Sequence, residues 1–205
     1  MNSNIAIETF QHGGPVMWPI LVTAIIAVAV VLERIFWWTR ECFRCDAQKR
    51  EAVLEKVEKG DVEAASNLAR DSQDPVLRML WHGLNHHHSS LQGALQVAAG
   101  IEIDRAGRFL AVLDTIVTLA PLLGLLGTVT GIMNSFNFVG NEELAASKVS
   151  GGIAEALIAT ACGLTIAIFA LIPFNYFGRL VERLHFELET AATNLEVMIE
   201  KNKKL

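Results

Sequence analysis

Twenty consecutive uncharged residues, Gly13 to Leu32, are enough to cross the hydrocarbon of a bilayer as a helix. Two later runs are as long. Phe109 to Val139 holds one charge, Asp114, and Val149 to Gly178 holds one, Glu155, before Arg179. A backbone in hydrocarbon must satisfy its own hydrogen bonds, so runs of this length predict helices. The expectation is an all-α integral membrane protein with three transmembrane helices and a charged helical domain outside the bilayer.

The basic residues orient the spans. Residues 40–108 carry ten Lys or Arg and residues 179–205 carry five, whereas 1–12 and 140–148 carry only Lys148. Positive loops stay in the cytoplasm. The predicted division is a periplasmic segment 1–12, a first transmembrane helix 13–39, and a cytoplasmic helical domain 40–108. A second transmembrane helix 109–139, a periplasmic loop 140–148, a third transmembrane helix 149–178 and a cytoplasmic C-terminal helix 179–205 complete it. Residues 1–12 contain no Lys or Arg, which argues against a cleaved signal peptide. Trp18, Trp37 and Trp38 suit the two interfacial belts, where membrane lipids are the expected partner. The net charge of −5, with acidic and basic residues interspersed, predicts no nucleic-acid partner.

Within the cytoplasmic domain, Gly60-Asp61 and Asp74-Pro75 read as helix starts, and Ser89 or Ser90 opens a third helix that could run on into the second span. Glu33-Arg34 reads as a topological stop in preference to a salt bridge. Leu180, Leu184, Leu188 and Leu195 form a stripe expected to be buried against the other cytoplasmic helices. His86, His87 and His88 point different ways on a helix, with no carboxylate or Cys at ligand spacing, and read as a solvated loop. Cys42-x-x-Cys45 lacks a second pair, so no metal site and no cofactor is expected. Cys162 falls in the membrane, which leaves no disulfide framework.

The polar residues of the last two spans stand out because a carboxylate in a membrane segment is expensive and usually faces a bundle interior or a water path. Counting the helical rise inward from Val139 and from Val149 puts Thr128 and Thr160 level, roughly 16 Å deep, with Glu155 about 7 Å above Thr160. A threonine also returns its hydroxyl to the preceding turn, so packing and pore lining both remain open. Gly124, Gly127 and Gly131 share one helix face, and Ala156, Ala159 and Gly163 offer small surfaces on the next helix; close helix packing is their reading.

The stretch APLLGLLGTVTGIMNSF at 120–136, followed by GGIAEALIATACGL at 151–164, closely resembles the MotA/TolQ/ExbB proton channel family. The likeness is greatest to its ExbB/TolQ branch. GGPVMWPI at 13–20 and Glu33-Arg34 also resemble that branch, and three spans differ from the four of a MotA-type protein. The resemblance implies a homo-oligomer, a pentamer around a central pore, enclosing the membrane helices of an ExbD/TolR-type one-span partner dimer. A TonB/TolA-type protein would be the periplasm-spanning recipient of the work. Protons are the implied transported ion, and the bacterial inner membrane the implied location, with the N-terminus periplasmic. On this resemblance Thr128 and Thr160 match the pore threonines and Glu155 the membrane glutamate. Asp114, near the inner end of the second span, is placed to assist proton exit or simply to end the helix. The family often has a proline where Phe169 stands; the nearest here is Pro173.

The function implied is a proton channel subunit of an ion-motive-force-driven transducer, coupling proton flow to mechanical work. The alternative is a non-conducting membrane scaffold that recruits partners through its cytoplasmic domain. A small-substrate transporter lacks the internal repeat such folds use, and no nucleophile–base set points to an enzyme.

Overall fold

Gly13, Gly14 and Pro15 hold the chain out of helix before the first span. Gly14 stands in the left-handed region at φ +73°, and the Met17 and Trp18 amides donate back to the Gly14 and Pro15 carbonyls at 3.1 and 3.3 Å. Helix α1 (Met17–Cys42) follows. The computed structural model describes residues 13–85, 87–136 and 145–203, without the side chains of 87–89, 145–148 and 203. Every other regular element among them is also helical: α2 (Ala47–Glu58), α3 (Val62–Ala69), α4 (Pro75–Asn85), α5 (His87–Gly107), α6 (Leu110–Phe136) and α7 (Ala145–Lys203). Helices α1, α6 and α7 are long and apolar enough to cross a membrane. The segment 1–12 and residues 137–144 lie outside the described residues. Part of the anticipated loop is helical, since α7 already begins at Ala145.

The chain divides into two compact units. One comprises Met1–Glu33 with Phe109–Tyr176, and the other Arg34–Arg108 with Phe177–Leu205. In the first, Val16, Met17 and Ile20 of the α1 start pack on Ala159, and further along Ala27 meets Ile116 and Ala170. Only 28% of the most apolar window of α1, 28% of that of α6 and 22% of that of α7 is buried. The greater part of each span is left for lipid or other chains to cover.

The second unit owes its stability to an ordinary apolar core and to well-placed carboxylates. Val53, Val57, Leu77, Leu80, Leu84 and Leu95 are buried with Leu188 and Leu195 of α7, each such side chain contributing roughly 1.5–3 kcal/mol. The leucine stripe after residue 180 is thus buried as expected, with Leu180 only half-buried. Asp46 and Asp61 cap α2 and α3 by accepting from the Lys49 and Ala64 amides at 3.0 Å. Asp74 does more. It caps α4 through Val76 N at 2.8 Å, accepts from Asp46 N at 2.9 Å, and pairs with Arg50 Nε at 2.7 Å. Burial alone would lower the Arg50 pKa, but its bonds to Asp74 and Glu187 outweigh that and raise it above its ordinary value.

Three expectations change. Arg34 is not a plain stop: it is 1% exposed, donates Nη1 to the Ala106 carbonyl at 3.2 Å, and lies over Trp37. That carbonyl belongs to the last turn of α5, where helical acceptors lack partners of their own. Helix α5 does not run on into the second span either. The chain breaks at Arg108–Phe109, where Phe109 takes φ +64°, and α6 starts at Leu110. Ser90, in contrast, is a start signal in fact: its extended backbone (φ −162°, ψ 95°) interrupts α5, and its Oγ accepts from Gly93 N at 3.2 Å. Finally, α7 passes through Gly178 without a break, so the third span and the C-terminal helix are one element.

Candidate functional site

Small residues set how closely α6 and α7 approach. A methyl on Gly124 would meet the Thr160 Cα at 3.0 Å, and one on Gly131 the Gly152 carbonyl at 2.9 Å. A methyl on Gly127 would overlap the Ala159 side chain, and one on Gly163 the Ala120 carbonyl. Ala156 and Ala159 are buried in the same contact. Two members went unseen in the sequence. A methyl on Gly152 would run into Ser135, whose hydroxyl donates to the Gly131 carbonyl at 2.9 Å. Both continue the small-residue row by one turn, and the GG pair at 151–152 was the available signal.

This register corrects the depth estimate. Thr160 lies opposite Gly124, not opposite Thr128, which stands four residues (about 6 Å) further toward the C-terminal end of α6. The discrepancy arises because equal counts from two assumed span ends carry the error of both ends. The two threonines are nevertheless neighbours. Thr160 Oγ1 donates across the helix contact to the Gly124 carbonyl at 2.9 Å, and in an α-helix that carbonyl also accepts from the amide of residue 128. Thr128 Oγ1 donates to the Leu125 carbonyl of its own helix at 2.7 Å. With both hydroxyl protons committed, each oxygen still offers lone pairs and can accept a hydrogen bond.

Glu155 is elsewhere. It precedes Thr160 by five residues, which turns it about 140° around α7. It is half-buried on the side against which α1 begins, where a Cβ at Gly14 would overlap its carboxylate. Among the described residues no hydrogen bond or ion pair to that carboxylate is formed. The expected vertical line of Glu155 above two level threonines is therefore replaced by two locations on opposite flanks of the hairpin.

Asp114 is exposed near the start of α6. It precedes Thr128 by fourteen residues, so the two share a side of the helix with Pro121 between them, about 21 Å apart along the axis. The side chains of the histidine tract lie outside those described. Cys42, Cys45 and Cys162 are free, and no group of three His, Cys, Asp or Glu is placed to hold a metal among the described residues.

The described residues thus place a polar pair on one side of a closely packed helical hairpin and a carboxylate on the other. The sequence model of the MotA/TolQ/ExbB proton channel family matches residues 71–190. An ExbB-like 1 biopolymer transport protein of Synechocystis is 37% identical over 82% of this chain and 69% of its own length. The biopolymer transport protein ExbB of Salmonella typhimurium is 31% identical over 83% of this chain and 76% of its own. The Tol-Pal system protein TolQ of Pseudomonas aeruginosa is 40% identical over 52% of this chain and 46% of its own. The family is one of transport and channel proteins, not enzymes, and with three membrane-length helices and this match across more than half its residues the chain belongs to the MotA/TolQ/ExbB proton channel family.

Proposed function

We propose that this chain is the ring-forming subunit of an ion-motive-force transducer in a bacterial inner membrane. Several copies, five on the family resemblance, surround the membrane helices of an ExbD/TolR-type one-span dimer, and proton flow between them drives work on a TonB/TolA-type protein. The observation that carries this reading is the Thr160–Gly124 bond beside Thr128. It makes a polar ledge of two oxygens whose protons are turned away and whose lone pairs remain available. Such a ledge suits a donor: water carrying a proton, or the protonated form of a carboxylic acid on a partner helix. Asp114, on the same side of α6 and toward its inner end, suits release to the cytoplasm. The sparse burial of all three spans supports assembly, because polar groups at mid-membrane are otherwise left facing lipid.

The N-terminus is placed outside and the second unit inside, on the asymmetry of Lys and Arg. Native mass spectrometry of the chain, coexpressed with a one-span protein carrying a membrane aspartate, tests the assembly. A ring holding that protein in its centre is expected. Monomers alone in mild detergent, with and without it, would contradict the reading. A ring that formed but passed no protons in liposomes would favour the non-conducting scaffold instead. Residue 66 supplies the topology check. A cysteine introduced by Ser66→Cys, in a background without native cysteines, should resist an impermeant maleimide on intact spheroplasts and react once they are lysed.

A further inference from the structure

Glu155 is held from an unexpected quarter. The turn before α1 lies on α7, with Val16 and Met17 packed on Ala159 and a methyl on Gly13 coming within 3.2 Å of Ile158. Within that turn Gly14 faces the Glu155 carboxylate so closely that a Cβ would occupy the space of its oxygen. Gly14 is also at φ +73°, a conformation that side-chain-bearing residues seldom adopt. The backbone conformation favours glycine at this position, and the space that a side chain there would need is held by the one carboxylate in the third span.

We infer that Gly14 is a positioning residue for Glu155: the bare backbone of the turn is the seat on which the carboxylate rests, and it fixes the direction in which that group opens. The inference rests on the proposed proton-conducting function and gives Glu155, which the family resemblance matches to the membrane glutamate, a place in that path. The physical case is one of access. A carboxylate in an apolar segment exchanges protons only where water or a partner reaches it. On the α1 flank, the Gly13–Met17 turn covers it, and no side chain of the described residues offers it a hydrogen bond there. The α-carbon of glycine permits contact at a distance that any larger residue would forbid, and its hydrogens are weak donors toward a carboxylate oxygen. A side chain at position 14 would turn the carboxylate away from the seat while leaving its charge and its length intact. The first span would thereby act on proton transfer through a residue of the third.

The test is proton flux into liposomes carrying the assembled complex purified from its native membrane, with the amount of assembled complex measured for each variant. Gly14→Ala is expected to lower flux by about tenfold or more, toward the roughly hundredfold cost of a reacting group displaced by about 1 Å. Glu155→Asp withdraws the carboxylate by one methylene, so adding Gly14→Ala in that background should change flux by less than about twofold. An equal loss from Gly14→Ala in the Glu155 and Glu155→Asp backgrounds would overturn the inference, because the glycine would then act independently of the carboxylate. So would unchanged flux in Gly14→Ala when Glu155→Ala loses it. Full flux in Glu155→Ala would instead sink the proposed place of Glu155 in the path, and this inference with it. If Gly14→Ala fails to assemble, Gly14→Asn, which tolerates a left-handed backbone, takes its place. Assembly restored to either variant by Glu155→Ala would support the contact; failure of both even then would make the glycine a requirement of the turn alone and overturn the inference.

Discussion

Arg34 shows how a single residue can look like punctuation and be something else. Following an apolar run, an Arg beside a Glu reads as the point where the chain meets water. Its guanidinium is instead buried and spends donors on the carbonyls of Ala106 and Arg105 at the end of α5. Sequence could not reveal this, since the acceptors are backbone atoms 71 and 72 positions away. Arg34→Met should preserve the stem but leave those carbonyls unpaired, destabilising the second unit by about 1–3 kcal/mol. Thermal unfolding in detergent reads it, and an unchanged midpoint would show that the bonds contribute nothing. Cys45 gives a pH-dependent check. Burial, and then the Asp74 charge, push its thiol above the ordinary value of 9.0, against a smaller pull from Arg50. A raised folded value means that this contribution to stability is complete below pH 9.0 and is lost as pH climbs through the folded value. Alkylation of Cys45 by iodoacetamide should accordingly reach half its maximal rate at higher pH in the folded protein than in urea. At the membrane site, Thr128, Thr160 and Glu155 were legible because oxygen in an apolar run is conspicuous. The turn between Glu155 and Thr160 was already contained in their five-residue spacing. Gly14 was not legible as a neighbour of Glu155: only the folded contact between the first and third spans brings them together.

Among the elements, the packing of α6 on α7 was read from glycine spacing, but their register was not, because depth counted from a span end inherits the uncertainty of that end. Small residues report the register better, since each marks the backbone that it touches. That yields a paired prediction. Gly163→Ala places a methyl against the Ala120 carbonyl and should destabilise the hairpin by about 1–3 kcal/mol. Gly178→Ala meets nothing within 4 Å and, in mid-helix, should be neutral or stabilise by up to about 1 kcal/mol. Equal effects on the thermal midpoint in detergent would contradict the packing. The break between α5 and α6 escaped the sequence for a related reason. A left-handed residue is usually glycine, and Gly107 stands nearby, yet Phe109 takes the positive φ. Asp61 and Asp74, by contrast, were legible helix starts because a carboxylate next to a helix opening has a local task that needs no tertiary partner.

For the whole molecule, three apolar runs were enough to predict an all-helical chain with three membrane-length helices, since bilayer thickness and backbone hydrogen bonding leave few alternatives. The open faces of the three spans call for a cover. The proposal supplies other copies and a one-span partner, and its central claim is that the Thr128–Thr160 ledge carries protons. Proton flux into liposomes by the assembled complex tests this most directly, comparing wild type with Thr160→Ser and Thr160→Val. Valine keeps the shape of threonine and removes the oxygen; serine keeps the oxygen. The bond to Gly124 is worth only about 0.6 kcal/mol in a membrane setting, so assembly should survive either change. The predicted order is wild type, then serine, then valine, with valine down by tenfold or more, on the order of one hydrogen bond to a charged group. Wild-type flux through a normally assembled Thr160→Val complex would contradict the account and leave these threonines as packing residues.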